Sequence, residues 1–174
     1  GGGSLTLTGS IALSDVQVSI ASLIEFGTLA GPVTLGTNGV LLQSGTLNGA
    51  VAVAGNLATL ADYGVMTGAL TVSGANDLIV LRAGETISGG ITGGQGSTLE
   101  LLAGAGTLSS LYGFSNIEVA AGANWTILNP GTLSGVSISG TGTLTADQAL
   151  TIDGSVSNAA TLNATLLVAG TFAN

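Results

Sequence analysis

Short segments in which apolar and polar residues alternate recur along the whole chain. Each covers about three to five residues and ends near Gly, Asn or Asp, which favour turns. Alternation with a period of two places apolar side chains on one face of a strand and polar side chains on the other. The pattern predicts short strands at residues 5–8, 51–53, 70–72, 78–80, 99–101, 117–119, 125–127, 136–138, 150–152 and 166–168.

These segments belong to a repeat with a period near twenty. Residues 27–36, 45–53 and 131–140 all begin with Gly-Thr-Leu-x-Gly and continue into an alternating segment. Successive glycines mark the period, and their spacing drifts slightly along the chain from Gly31 to Gly49, Gly68 and Gly89. A Greek-key sandwich also uses short strands, but its sequence seldom repeats at this period, whereas a solenoid stacks one repeat on the next.

We therefore expect an all-β fold, a parallel and right-handed β-helix, or β-solenoid. The 174 residues divide into about eight or nine rungs, where a rung is one complete circuit of the chain. At roughly 4.8 Å per rung the rod is about 40 Å long. Residues 1–174 form one domain in this interpretation, and that domain is expected to be a module of a longer or polymerised chain.

One segment fits two structures. Ser14 and Gln17 have the form of a helix capping box, which favours a short helix over residues 15–26. Val16, Val18 and Ile20 alternate and are β-branched, which favours a strand. The strand is the preferred interpretation.

The composition excludes several classes of function. The chain has one basic residue, Arg82, nine acidic residues, no His and no Cys, and its formal net charge is −8. A single Arg cannot neutralise a nucleic acid backbone, and the His and Cys ligands of zinc, haem and iron–sulfur sites are lacking. The sequence also has no apolar run long enough for a spanning helix. We expect no cofactor, no metal, no nucleic acid partner and no membrane insertion.

Four central carboxylates are candidates for acid and base chemistry, since β-helices that cleave polysaccharides place paired carboxylates in a cleft. They are Asp77, Glu85, Glu100 and Glu118. Because each falls at a different rung position by sequence, the preferred interpretation is that they are solvated charges. The chain is therefore expected not to be an enzyme.

Three further patterns have a ligand-binding and a structural interpretation, and the structural one is preferred for each. Residues 93–99 resemble the calcium nonapeptide of toxin repeats, although Thr98 replaces the liganding Asp, so a plain turn is expected. Thr-x-Thr patterns at residues 6–8 and 141–145 suit an ice-binding ladder or simply an outward strand face. Trp125, within the sequon 124–126, is a sugar platform or a core residue in phase with Ile127, and a second sequon lies at 163–165.

Residues 106–127 contain Gly-Phe, then Ile-Glu-Val, then Gly and Trp-Thr. This order resembles a recurring unit of bacterial autotransporter passengers and related β-strand-repeat surface proteins, and the similarity is best over residues 76–127. The resemblance implies an exported right-handed β-helix on a Gram-negative surface, acting as a stalk, adhesin or biofilm element. It brings no catalytic residues to this chain.

Neither end of the sequence carries a charged or helical cap, so the terminal rungs are expected to stack on a neighbouring subunit or on further rungs of a longer chain. The expected assembly residues are Leu5, Leu7, Leu166, Val168 and Phe172. We therefore expect an extracellular structural solenoid whose partner is itself, in an end-to-end homo-oligomer or fibre that supports adhesion or biofilm. The alternatives are an adhesin that binds surface glycans through one face of the rod and, less favoured, a polysaccharide-active β-helix.

Overall fold

The structure is a computed structural model that describes residues 4–12, 16–18, 21–84 and 86–174. All its regular elements are strands. In chain order they are β1 (Ser4–Leu7), β2 (Ser10–Ala12), β3 (Val16–Val18), β4 (Ser22–Glu25), β5 (Thr28–Ala30), β6 (Val33–Leu35), β7 (Val40–Gln43), β8 (Thr46–Leu47), β9 (Val51–Val53), β10 (Thr59–Asp62), β11 (Val65–Met66), β12 (Leu70–Val72), β13 (Leu78–Leu81), β14 (Thr86–Ile87), β15 (Ile91–Thr92), β16 (Thr98–Leu101), β17 (Gly104–Leu108), β18 (Leu111–Tyr112), β19 (Asn116–Val119), β20 (Ala123–Ile127), β21 (Thr132–Leu133), β22 (Val136–Gly140), β23 (Thr143–Ala146), β24 (Leu150–Ile152), β25 (Ser155–Asn158), β26 (Thr161–Asn163), β27 (Leu166–Val168) and β28 (Thr171–Ala173).

Each rung contributes three strands, one to each face of the rod. The first strands of successive rungs form face 1, a ten-stranded sheet that runs from β1 to β28. The second strands form face 2, which consists of a four-stranded sheet from β2 to β11 and a five-stranded sheet from β14 to β26. The third strands form face 3, which consists of a six-stranded sheet from β3 to β18 and a three-stranded sheet from β21 to β27. The pairings between rungs are parallel throughout. The prediction of an all-β parallel β-solenoid of eight or nine rungs is confirmed.

The length of a rung varies because the corners between faces differ. On face 1, Ser4 pairs with Ser22, whereas Asn116 pairs with Ser137, so the later rung contains more residues than the first. Near the end of the chain Ser155 pairs with Thr171, and that rung is shorter than either of the other two. A residue's position within its rung therefore cannot be obtained by adding a constant period.

Strand alternation builds a single core along the axis of the rod. The inward residues of face 1 include Leu23, Leu41, Leu60 and Ile79, which pair in register and are all buried. The buried apolar cluster continues without interruption to Val156. Burial of this apolar area is the main force that stabilises the rod, and each rung depends on the next to cover its own residues.

Trp125 lies in the core, as its phase with Ile127 predicts. It is fully buried, and its indole Nε1 donates a hydrogen bond of 3.0 Å to the carbonyl of Leu102. Its partner in the preceding rung is Gly106, and a Cβ on that glycine would stand 2.4 Å from the indole ring. The absence of a side chain at Gly106 therefore makes the space that the indole fills.

The segment for which a helix and a strand were both open is extended where it is described. Val16–Val18 forms β3 and pairs with β6, and Ser22–Glu25 forms β4. The helical alternative is therefore wrong for these residues. Ser14 and Ile20 lie outside the described residues.

Candidate functional site

The outer surface of face 1 carries an apolar groove in rungs 2 to 4, which begin at β4, β7 and β10. Phe26, Leu42 and Tyr63 flank it, and they are 58%, 38% and 42% exposed. Ile24 and Ser44 complete its walls, and its volume is about 180 Å³. Exposed aromatic rings beside aliphatic groups are a common feature of surfaces that bind other molecules.

The register of face 1 explains how the groove forms. The backbone amides of Phe26, Ser44 and Tyr63 each follow the last residue of a face 1 strand and bond to the rung before. These three residues therefore occupy one outer column, with the two aromatic rings two rungs apart, about 10 Å at the usual strand spacing. Ser44 between them is too small to fill the space. The groove thus forms because the side chains of this column are large, small and large in three successive rungs.

A stack of polar side chains lies inside the same corner, immediately before this outer column. Glu25, Gln43 and Asp62 are in register on β4, β7 and β10, and each is fully buried. A buried polar group costs free energy unless it is hydrogen-bonded, and a buried charge costs more. The stack is therefore the most unusual electrostatic feature of the rod.

The members of this stack are bonded to the corner backbone in different ways. The Gln43 amide donates from Nε2 to the carbonyl of Gly45 at 2.9 Å and to that of Val65 at 3.3 Å. Asp62 accepts at Oδ1 from the amide of Gly64 at 3.2 Å. In each rung a glycine stands at the second position after the polar residue, so the side chain reaches the backbone where it bends from face 1 to face 2.

Burial raises the pKa of the Glu25 carboxyl. The backbone amides of Gly27 and Gly45 oppose this effect, and the charge of Asp62 adds to it. Among the described residues no donor reaches full hydrogen-bond geometry at either Oε of Glu25. The uncharged acid is therefore favoured at this position.

Asp77 lies at a second corner, between face 3 and face 1, and is also buried. Its Oδ1 accepts a hydrogen bond of 2.8 Å from the amide of Ala58 in the preceding rung. Its own amide donates to the Ser97 hydroxyl in the following rung at 3.1 Å. Burial raises the pKa of Asp77, while Ala58 and Ser97 partly oppose that shift. Asp77 therefore links three rungs, through its carboxyl on one side and its backbone amide on the other, and is a structural residue.

The candidate carboxylates are only partly brought together. The expectation that each occupies a different rung position is wrong for Glu100 and Glu118, which pair in register on β16 and β19. The expectation failed because residues 98–115 form a short rung, which shifts Glu118 onto the position of Glu100. Both point outward from face 1, Glu100 half-buried and Glu118 exposed. Asp77 is elsewhere, inside a corner, so it is not the solvated charge that was expected. Glu85 lies outside the described residues.

In the glycine-rich segment 93–99, residues 93–97 form a corner turn, as expected, and Thr98 and Leu99 begin β16. Gly96 has a φ of 71°, and the buried Ser97 provides the hydroxyl that binds the amide of Asp77. In this turn Gly93 lies against Phe114, since a Cβ there would be 2.5 Å from the Phe114 ring. The segment therefore packs a corner.

The remaining polar patterns lie on the solvent side of the strands. Thr6 and Thr141 are exposed, and Thr143 and Thr145 are half-buried on β23. Thr145 continues an outward column that contains Thr107 and Thr126. The sequon residues Asn124 and Asn163 are exposed on β20 and β26.

The expected assembly residues occupy core columns at the two ends of the described chain. Leu5 pairs with the buried Leu23 but is itself 53% exposed, and Val168 pairs with the buried Ile152 but is 50% exposed. Leu7 is buried, and Leu166 and Phe172 are half-buried. The core columns therefore continue to the first and last rungs and stay uncovered there.

The corner stack is the feature that sequence reasoning missed. Its signal is an acid or amide at the second position before a Gly, in phase with the inward residues, at Glu25, Gln43 and Asp62. Alternation predicts a charged residue to face solvent, so this phase is informative only once the rungs are aligned.

Neither a metal centre nor a spanning helix is present in the part of the chain that the structure describes. No group of three or more acidic, His or Cys side chains among these residues is placed to hold a metal ion. No helix in the same ranges has the length and hydropathy to cross a membrane.

In comparisons with known proteins, no family model, no curated protein and no solved structure matches this chain. The similarity to autotransporter passengers therefore stays a hypothesis.

Proposed function

We propose that this protein is a non-enzymatic structural β-solenoid of the bacterial cell surface, in which rods join end to end as a fibre or stalk. The observation that carries the proposal is the parallel pairing that repeats from rung to rung, with inward apolar residues stacked in one continuous core along the rod. Leu5 and Val168 point inward in register with buried residues, yet half of each side chain is exposed.

In the proposed fibre, a second rod covers these residues. A rung stacked on either end continues the parallel ladder and covers the inward apolar side chains. Val168 contributes burial of this kind, as its partner Ile152 does inside the rod. Because the same pairing operates between all rungs, end-to-end contact uses an interaction that the fold already repeats.

The sides of the rod suit an exposed structural element. The chain has 6% charged residues, and Thr, Ser and Asn occupy many outward strand positions, such as Thr107, Thr126 and Thr145. Arg82 is the single basic residue, so trypsin-like proteases have one site. These features support a location outside the cell, together with the resemblance to surface proteins.

Electron microscopy and sedimentation of inward-facing and outward-facing variants test the proposal. Val168→Lys places a charge in the end-to-end contact and is expected to convert filaments to single rods. Leu167→Lys is the matched control, since Leu167 is 57% exposed but points outward from the adjacent position. Particles that stay short at all concentrations, or equal effects of the two variants, would contradict the assembly.

A second function is favoured by the groove, namely binding of a surface glycan along face 1. Phe26 and Tyr63 are exposed in one outer column, and aromatic faces stack on the apolar faces of sugars. Binding of purified polysaccharides is expected to be lost in Phe26→Ala and Tyr63→Ala. Tyr112→Ala is the control, because Tyr112 is equally exposed but lies on face 3. Absence of binding by filaments of the native protein would remove this function.

A further inference from the structure

The inward residue that ends β7 donates hydrogen bonds to the corner backbone. Gln43 places its Nε2 against the carbonyls of Gly45 and Val65. Asn158 ends β25 in a different column, in register with Ile138, and its Nδ2 makes a similar local contact, 2.8 Å to the carbonyl of Ala160 two residues on. In both residues the amide oxygen has no donor among the described residues. This corner therefore offers carbonyl oxygens that an N–H or O–H group can satisfy.

Glu25 occupies this position one rung before Gln43. The two residues pair in register, and both are fully buried. The two carbonyls that bind Gln43 have equivalents one rung earlier, beside Glu25. The carbonyl of Gly45 corresponds to that of Gly27, since Gly27 precedes β5 as Gly45 precedes β8. The carbonyl of Val65 corresponds to that of Thr46, its register partner. A carboxylate has only acceptors, whereas a protonated carboxyl has one donor and resembles the amide of Gln in shape.

We propose that Glu25 is a proton-binding site, held in the folded rod as the neutral acid whose single O–H donates to a corner carbonyl equivalent to one of the two that bind Gln43. The proton takes the place of the second amide hydrogen that Gln43 provides. The rung then carries a hydrogen bond at the same corner as its neighbour, and no unpaired charge is buried. A rise in pH removes this proton and weakens rungs 2 to 4.

The groups that face Glu25 favour the neutral form. Of the strands in sheet contact with β4, β1 contributes Leu7 at this position and β7 contributes Gln43, and neither ionises. The next strand, β10, contributes Asp62, whose negative charge acts against a second one. The basic residue of the chain, Arg82, is exposed and follows the strand beyond Asp62. The raised pKa of Glu25 has burial as its largest cause, in agreement with this geometry.

The direction of the pH effect follows from linkage. A carboxyl whose pKa is raised by folding holds its proton in the rod at pH values where the unfolded chain has lost it. Stability is therefore complete below the ordinary pKa of 4.5 and falls as the pH rises from there toward the pKa in the rod. Gln43 and Ser44 line the groove above this corner, so the loosened rungs are those that shape the groove.

Denaturant unfolding of the whole chain between pH 4 and pH 9 tests the proposal. With one proton released, the unfolding equilibrium constant of the native protein is expected to rise up to tenfold per pH unit in part of this range. Glu25→Gln supplies the donor permanently, so it removes this contribution and is more stable than the native protein at pH 8. Asp153→Asn, which removes one exposed negative charge, is the control, and it is expected not to reproduce the gain in stability at pH 8.

A direct measurement separates protonation from a general change in stability. Infrared difference spectra of the folded native protein against Glu25→Gln are recorded at increasing pH, and the C=O stretch of a neutral carboxyl is expected to persist above 4.5, where an ordinary Glu carboxyl has lost its proton. A carboxylate band instead, or a native pH profile that is unchanged in Glu25→Gln, would overturn the proposal. Glu25→Ala is expected to be less stable than Glu25→Gln at every pH, and equal stability of the two would also overturn it.

Discussion

Leu57 and Asn76 occupy the same corner position in successive rungs and share one left-handed backbone conformation, each with a φ of 58°. The amide of Leu57 donates to the carbonyl of Ala75 and that of Asn76 to the carbonyl of Gln95, which places both at the start of the bend into face 1. Asn38 in the preceding rung has a φ of 57°, and Gly96 in the following rung has a φ of 71°. This column therefore requires a positive φ, and Leu57 is its one poorly suited member.

We expect Leu57→Asn to stabilise the rod by about 0.5–1 kcal/mol, because a branched aliphatic residue has a steric cost in the left-handed region that Asn largely avoids. Leu57 is 60% exposed, so little packing is lost on replacement. Denaturant unfolding measures the gain, and Asn38→Leu, at an exposed position of the same column, is expected to show the opposite sign. A loss of stability in Leu57→Asn would contradict the assignment of strain.

Substitutions at Gly106 and Trp125 are expected to have coupled effects on the free energy of unfolding. Gly106→Ala places a methyl 2.4 Å from the indole ring, and overpacking of a core costs about 1–3 kcal/mol. In a Trp125→Leu background the same change is expected to be nearly neutral, because the smaller side chain leaves room. A double-mutant cycle of unfolding free energies measures this coupling. Simple additivity of the two changes would mean that the ring is not held against Gly106.

The stacked carboxylates Glu100 and Glu118 predict a salt-dependent stability. Like charges that face each other on adjacent strands destabilise a sheet by about 0.2–1 kcal/mol. We expect Glu118→Gln to raise stability at low ionic strength, and the gain to shrink in about 1 M salt, where the screening length is about 3 Å. The double replacement with Glu100→Gln is expected to add little beyond the single one. A gain that is independent of salt would argue against repulsion as its cause.

The strands could be predicted from the sequence because alternation is a local property. Leu23, Glu25 and Phe26 show where this stops: the phase of Leu23 correctly places Glu25 inside, although a charge predicts an outward position. The charge of Glu25 and its phase in the strand therefore predict opposite directions for its side chain, and only the stacking of Gln43 on Glu25 decides between the two. The strand pattern alone contains no information on that contact.

The columns could not be predicted, since they depend on the length of every corner. Glu100 pairs with Glu118 across a short rung, whereas the next rung, from Asn116 to Ser137, is longer. A constant period therefore assigns wrong neighbours across rungs. The groove of Phe26 and Tyr63 escaped prediction for the same reason, as its two rings are brought together only by register.

Gly9, Gly27 and Gly45 form a column beside the corner stack. The cost of replacing one of them by Ala is expected to depend strongly on its position in this column. A Cβ at Gly45 would be 2.0 Å from the carbonyl oxygen of Gly27 and 2.8 Å from Oε1 of Glu25. The backbone at Gly27 and at Gly45 cannot shift to relieve this clash without breaking the hydrogen bonds between the rungs. Gly45→Ala is expected to destabilise the rod by several kcal/mol or to prevent folding. Gly9→Ala is the matched control, since Gly9 belongs to the same column and a Cβ there meets nothing within 4 Å. Thermal unfolding of both variants measures the difference, and equal losses would show that stacking does not set the requirement for glycine.

Asp77 predicts a pH dependence with the same sign as that of Glu25, at a different corner. Because burial raises its pKa in the rod, stability is complete below the ordinary value of 3.8 and falls as the pH rises through the region above it. Asp77→Asn keeps an oxygen that accepts from the amide of Ala58 and removes the titration, so its unfolding free energy is expected to vary less with pH. Asp77→Ala leaves that buried amide unsatisfied and is expected to cost about 1–3 kcal/mol at every pH. Unfolding of the three proteins from pH 3 to pH 7 distinguishes the hydrogen bond from the charge, and a steeper profile for Asp77→Asn than for the native protein would contradict the raised pKa.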